Sequence, residues 1–148
     1  MTSRSSTYFF LMILLGSGLS TAQERNAVPE RAAKGQATGS IFADIEAGLR
    51  SGDLGTFSGS LARQVYLNLS DIESGFFSEN QALYILKDYF KTRRILSFKF
   101  TTISEVEGTP FATGGGTYLH RGSPEILQVY VAMKKSGNRW VIGQFSVF

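Results

Sequence analysis

Residues 139–148 read RWVIGQFSVF. Trp140 and Ile142 are apolar at even positions, whereas Phe145 and Val147 are apolar at odd ones. A regular strand points successive side chains to opposite faces, so it would send these two pairs to opposite sides of a sheet. One extra residue between Ile142 and Phe145, a β-bulge, returns all four to one face, and Gly143 stands where a bulge is least costly. The same slip occurs upstream, where Phe98 and Phe100 are followed by Ile103. Bulges bend strands. Two of them predict a strongly curved sheet whose concave side is filled by amphipathic helices.

Working outward, the period stays at two from Leu96 to the end of the chain. Glu107-Gly108-Thr109-Pro110, Arg121-Gly122-Ser123-Pro124 and Ser136-Gly137-Asn138 punctuate it, which predicts an antiparallel meander of about four strands. Upstream the period is helical. Ser78 and Gln81 form a capping box before Ala82, Ile85, Leu86, Tyr89 and Phe90, with Lys87 and Asp88 opposite, predicting a helix over about 79–92. Val65, Leu67 and Leu69 alternate as a strand, and SDIESG at 70–75 reads as a turn before Phe76-Phe77. Ile41, Phe42, Ile45 and Leu49 predict an earlier helix, with Ser40 as N-cap and Gly52 as its stop. Asp53 then caps a second short helix running from Leu54 through Phe57 to Leu61.

The start of the chain differs. Arg4 is the only charge before Glu24, Tyr8 to Leu15 is almost continuously apolar, and Ser20-Thr21-Ala22 is small. This is the pattern of a secretory signal peptide over residues 1–22, too short to span a membrane comfortably. Cleavage after Ala22 leaves Gln23 first. The chain has no cysteine, so no lipid attachment point, disulfide framework or thiolate metal site is expected, and a bacterial periplasm suits it better than a eukaryotic secretory route. Residues 23–39 are polar and aperiodic and read as a flexible leader; residues 40–148 form the domain. The formal net charge of +3 is too small to imply nucleic acid.

Helix, short helix, strand, long helix and four curved antiparallel strands resemble the nuclear transport factor 2-like (cystatin-like) fold. That fold is an α+β, cone-shaped roll with N-terminal helices packed on a curved, mostly antiparallel sheet. LRSGDLGTFSGSLARQVYLNL, FFSENQALYILKDYFKTRRILSFKF and VYVAMKKSGNRWVIGQFSVF also resemble a family of small exported proteins of Gram-negative bacteria whose function is unknown. The resemblance covers about residues 40–148 and implies an exported, periplasmic or secreted protein. It brings no catalytic residues.

The residues themselves offer little chemistry. Asp88 lies on the polar side of its helix, as a solvated surface acid would. His120, the only histidine, ends a strand beside a turn and reads as a surface residue. Gly114-Gly115-Gly116 lies between strand-like residues with no lysine following, so it reads as a strand kept thin for a close neighbour and not as a phosphate loop. Lys87, Lys91, Arg93, Arg94 and Lys99 read as a solvated basic rim, with Tyr89, Phe90 and Phe98 beside them turned inward. No catalytic group, metal site or cofactor is implied. The expected function is a non-catalytic binding or interaction module, with a small cavity enzyme of the isomerase, dehydratase or hydrolase kind as the alternative. Tyr66, Tyr89, Tyr118 and Tyr130 are the candidates to line a cavity. The expected partners are a small apolar ligand or a protein, including a second copy through the outer sheet face, with neither nucleic acid nor a membrane anchor retained after cleavage.

Overall fold

The computed structural model describes Glu30–Ser70 and Ile72–Phe148, with side chains from Ala37 onward. The signal sequence expected over 1–22 and the start of the expected leader lie outside these residues. Among the described residues, three helices, α1 (Glu30–Ser51), α2 (Gly55–Ser58) and α3 (Glu79–Lys91), pack on a sheet of six strands. The strands are β1 (Leu61–Leu69), β2 (Glu73–Ser78), β3 (Arg93–Val106), β4 (Thr109–His120), β5 (Ser123–Ser136) and β6 (Arg139–Val147). Their order is β2-β1-β6-β5-β4-β3, antiparallel except for the parallel pair β1–β6. This is the expected α+β architecture.

Helix α1 begins ten residues before Ser40, which is an exposed position inside it. The part of the expected leader from Glu30 onward is therefore helical. Glu30, Arg31, Ala32, Ala33 and Lys34 are good helix formers, so propensity extends the helix where apolar periodicity gives no signal. Gly52 stops α1 with φ +77°, in the left-handed region that glycine enters without a Cβ penalty. Asp53 follows at once but is not the N-cap of α2 as expected; that position is Leu54, which makes no side-chain cap bond. Asp53 Oδ1 accepts the Gly55 N–H at 3.0 Å and the Asp53 carbonyl accepts the Thr56 hydroxyl at 2.8 Å. Helix α2 is shorter than expected because Leu61 already belongs to β1, where the Ser60 carbonyl accepts the Ile142 N–H of β6.

Helix α3 matches its expected span. Ser78 Oγ accepts the Gln81 N–H and Gln81 Oε1 accepts the Ser78 N–H, completing the capping box. Strand β2 is the element that sequence patterning misses. Glu73, Ser74 and Gly75 have poor strand propensity, and pairing with β1 in the register Val65↔Phe77 holds them extended.

Both phase slips are bulges. Ala132 pairs with Gln144 and Met133 with Ile142, so Gly143 is the extra residue, and Ile142, Phe145 and Val147 are all buried. Gly143 does not have a positive φ; its bulge is regular enough for any residue's backbone. Trp140 is half-buried and takes Lys135 over its ring at 4.7 Å. In β3 the register shifts between Phe100 and Thr102, and Ile103 comes opposite buried Ala112. Yet Ile103 remains 58% exposed, so the bulge is real but the expected burial is not.

The glycine run tightens the bend. A Cβ on Gly116 would lie 2.8 Å from Phe98 Cα, and one on Gly114 2.7 Å from Phe100 Cα. Strand β3 leans onto the backbone of β4, which only glycine permits. The core then fills the concave side: Phe42, Ile45 and Leu49 from α1, Phe57 from α2 stacked on Phe145, and Ala82, Leu86 and Tyr89 from α3. Glu46 fastens α1 to the outer edge of β3, accepting the Phe100 N–H at 3.0 Å.

Candidate functional site

The concave interior is occupied by side chains. Phe42 meets Phe100 edge-on with ring centroids 5.7 Å apart, and Phe98 meets Phe100 at 5.0 Å; all three are buried, as are Tyr89 and Tyr118. The space for a ligand lies instead at one end. There the α1–α2 corner, the last turns of α3 and the start of β3 enclose a cleft of about 690 Å³. Leu49, Leu54, Phe90 and Ile95 supply its less exposed, apolar floor. Arg50, Lys87, Lys91, Arg93 and Arg94 supply five cations against the two acids Asp53 and Asp88.

Two of the cations are engaged. Arg50 pairs with Glu46 at 2.9 Å. Arg93 lies over the Tyr89 ring at 4.1 Å and donates from Nη1 to the Tyr89 carbonyl at 3.0 Å, covering an end carbonyl of α3. Its Nε is buried with no hydrogen-bond partner among the described residues. Lys87, Lys91 and Arg94 form no ion pair with a described carboxylate. Four members of the basic rim read from the sequence thus meet at the cleft. Lys99 does not; it pairs across from Gly115, farther along β3. Arg50 was not legible as a member, because a basic residue in the last turn of a helix is ordinary dipole complementation.

The four tyrosines expected to line a cavity do not converge. Tyr89 and Tyr118 lie close together in the core near Arg93. Tyr66 stands on the outer sheet face against Phe76, its hydroxyl 3.2 Å from Ser74 Oγ. Tyr130 is also on the outer face, stacked on Phe111 and lining a shallow hollow of about 550 Å³ with Thr101, Thr113, Gly115, Gln128 and Phe148. Strand alternation explains both departures: Tyr66 sits between buried Val65 and Leu67, and Tyr130 between buried Val129 and Val131.

A second polar group lies at the β4–β5 turn. Tyr118 donates its hydroxyl to Glu125 Oε2 at 2.6 Å, and Glu125 Oε1 is 3.4 Å from His120 Nδ1. The bond to Glu125 raises the Tyr118 pKa, aided by burial, while Arg93 acts the other way. The same bond lowers the Glu125 pKa, with His120 and Arg93 adding to the effect against partial desolvation. The His120 side chain is 25% exposed, so it is a less open residue than its turn position suggests. Glu125 carried no signal in the sequence, being one acid in a turn. Among the described residues no group of three His, Asp or Glu comes together to hold a metal ion, and no helix is long and apolar enough to cross a membrane.

Residues 42–147 match the profile of the domain of unknown function DUF4783. The chain belongs to the DUF4783 family. A DUF4783 protein of Bacteroides ovatus is similar in structure, with a TM-score of 0.60 at 17% identity, over 71% of this chain and 91% of that one. An NTF-2 like protein of unknown function from Shewanella oneidensis aligns with a TM-score of 0.55 at 16% identity, covering 76% and 97%. A ketosteroid isomerase-like protein from Erwinia carotovora atroseptica reaches 0.60 at 12% identity, covering 81% and 95%. At these identities the likeness shows a shared nuclear transport factor 2-like fold. No curated protein matches the sequence. This DUF4783 chain therefore carries a cone whose concave side is filled by buried aromatic and aliphatic side chains, with a basic, apolar-floored cleft at one end.

Proposed function

We propose that this DUF4783 chain is an exported, non-catalytic binding module that takes its ligand in the cleft at the α1–α2 corner. One observation carries the reading: Phe42, Phe98, Phe100, Tyr89 and Tyr118 occupy the interior that a cavity enzyme would need, while a cleft of ligand-sized volume stands open beside them. The Tyr118–Glu125–His120 group is the best support for the enzymatic alternative. It counts for less because none of the three lines the cleft, and the Tyr118 proton is already committed to Glu125. The test is native mass spectrometry of protein purified from its host. A bound small molecule should be present, be lost when the cleft is filled by Ile95→Trp, and be kept when the outer hollow is filled by Thr113→Trp. An adduct indifferent to Ile95→Trp sinks the reading.

Export rests on residues 1–22, and the intact mass of the same preparation checks it. A chain beginning at Gln23 is expected; a membrane-bound chain retaining residues 1–22 argues against it. The outer sheet face supports one further element, pairing with a second copy. Its hollow is lined without a charged side chain, and exposed Ile126 and Phe148 flank it on the same face, so a knob and a hole are available for mutual exchange. Sedimentation should report a dimer that Ile126→Lys dissociates.

A further inference from the structure

We infer that the ligand is a single-chain amphiphile with an anionic head group, lying along α3 with its head at Lys91 and Arg94. The inference rests on the reading of the cleft as the binding site, and it adds the chemistry of the occupant. Three cations of the rim, Lys87, Lys91 and Arg94, pair with no described carboxylate. The two acids beside them, Asp53 and Asp88, offset part of that charge but are outnumbered by the cations of the lining. Asp53 accepts the Gly55 N–H with Oδ1, and Asp88 makes no ion pair among the described residues, so neither holds a cation of the rim in place. The α3 dipole accounts for Lys91 alone; Arg94 stands on β3, beyond the reach of that explanation. A floor of Leu49, Leu54, Phe90 and Ile95 between these cations calls for an apolar body attached to the anion, because a bare anion would leave that surface unused.

The shape of the groove selects a chain over a compact molecule. Tyr84, 73% exposed, lines the cleft and also a second hollow of about 320 Å³ formed with Phe77, Asn80, Gln81 and Ile85. No charged residue lines that second hollow. The two spaces share Tyr84 as a wall and follow one another beside α3, the one at its C-terminal end cationic and the one toward its N-terminal end lined without charge. From Asn80 to Lys91 the helix rises about 16 Å at its standard pitch. Two neighbouring hollows over that length, one cationic and one uncharged, match a polarised ligand: a carboxylate, phosphate or sulfate at one end and a linear hydrocarbon at the other. Arg94 and Lys91 would hold the head through charge-assisted hydrogen bonds, and Phe90, Tyr84 and Phe77 would line the path of the tail.

The experiment is calorimetric titration of the full mature chain with dodecanoate, dodecyl phosphate and dodecanol, each below its aggregation limit. Wild type should bind both anions at least tenfold more tightly than dodecanol, and added salt should erode the difference. Lys91→Gln with Arg94→Gln should weaken the anions at least tenfold and leave dodecanol unchanged. Tyr84→Ser with Phe77→Ser should weaken all three. Circular dichroism checks that each variant folds. Equal binding of dodecanol and dodecanoate, unaltered by the charge variants, overturns the anionic head while leaving the cleft as a binding site. No binding of any probe, in a protein whose native adduct is displaced by Ile95→Trp, overturns the amphiphile and again spares the cleft. No probe binding and no displaceable adduct overturns both. Sedimentation with phosphatidylglycerol vesicles, in the absence of binding to dispersed dodecanoate, replaces the inference with attraction to an anionic surface.

Discussion

Among the described glycines, Gly116 is the one where an added methyl meets backbone most closely. The added Cβ would lie against the Ser97 carbonyl, 2.6 Å from its carbon and 2.8 Å from Phe98 Cα. All of these are backbone atoms of β3, so no side chain can rotate away. Relief requires β3 to lift from β4, at the point where Phe98 pairs with Gly116 and where Phe98 and Phe100 enter the core. Overpacking by a methylene costs about 1–3 kcal/mol when side chains can adjust. Displacing a paired strand adds weakened ladder hydrogen bonds at about 0.5–1.5 kcal/mol each. The expected loss is therefore about 3–4 kcal/mol, a large share of the roughly 5–15 kcal/mol that holds a domain of this size. Urea denaturation followed by far-ultraviolet circular dichroism measures it. Gly115→Ala is the internal control, since its Cβ meets only the Leu127 carbonyl oxygen at 3.2 Å and should cost about 1 kcal/mol or less. A Gly116→Ala protein within about 0.5 kcal/mol of wild type, or no worse than Gly115→Ala, refutes the close approach of β3 to β4 as the cause of the bend.

Three other outcomes follow from the same geometry. A Cβ at position 143 would stand 3.0 Å from the Lys134 side chain; Gly143→Val should displace Lys134, lose its 2.8 Å bond to the Gln64 carbonyl, and regain part of that through strand propensity, for a net loss of about 0–1 kcal/mol in the denaturant midpoint. Glu46→Ala strands the Phe100 N–H at the edge of β3 and should cost about 1–2 kcal/mol, with Phe100 amide exchange rising ahead of its neighbours; unchanged exchange at Phe100 refutes the clamp. The lowered Glu125 pKa contributes stability that is present above the ordinary carboxylate value of 4.5 and is lost as pH falls through the folded value, so Tyr118→Phe should flatten the acid limb of the stability–pH curve, and an acid limb identical to wild type counts against the bond.

Features encoded within a few residues were legible in the sequence. Ser78 and Gln81 cap α3 through their own backbone, and Gly52 ends α1 through its own φ. The bulge at Gly143 was legible as a break in alternation, although a special backbone conformation, the usual reason for glycine at a bulge, does not hold there. Features imposed by distant parts of the chain were not. Strand β2 is extended because β1 pairs with it, against the preference of Glu73-Ser74-Gly75. Ile103 returns to the concave side as the phase slip predicts, but whether anything covers it there is a property of α1 and not of β3. Tyr66 and Tyr130 are instructive in the other direction. Each alternates with buried valine or leucine neighbours, so their outward placement was written in the sequence, and only their residue type suggested a cavity.

The cleft joins fold and site in one short segment. Ser51-Gly52-Asp53 turns α1 into α2 with almost no loop, and those three residues also form one wall of the cleft. The corner has to be abrupt because Phe57 must reach Phe145 immediately after Leu49 has been buried. Among the described residues, a tight corner leaves the end of α3 uncovered, since the α1–α2 connection is too short to fold over it. Lys87 and Lys91 therefore face open space, and Phe90, partly buried against the core, shows it only its remaining surface. A functional site built this way has no motif: its residues are the ordinary cations and apolar positions of a helix end, and what distinguishes them is the open space that the corner leaves in front of them.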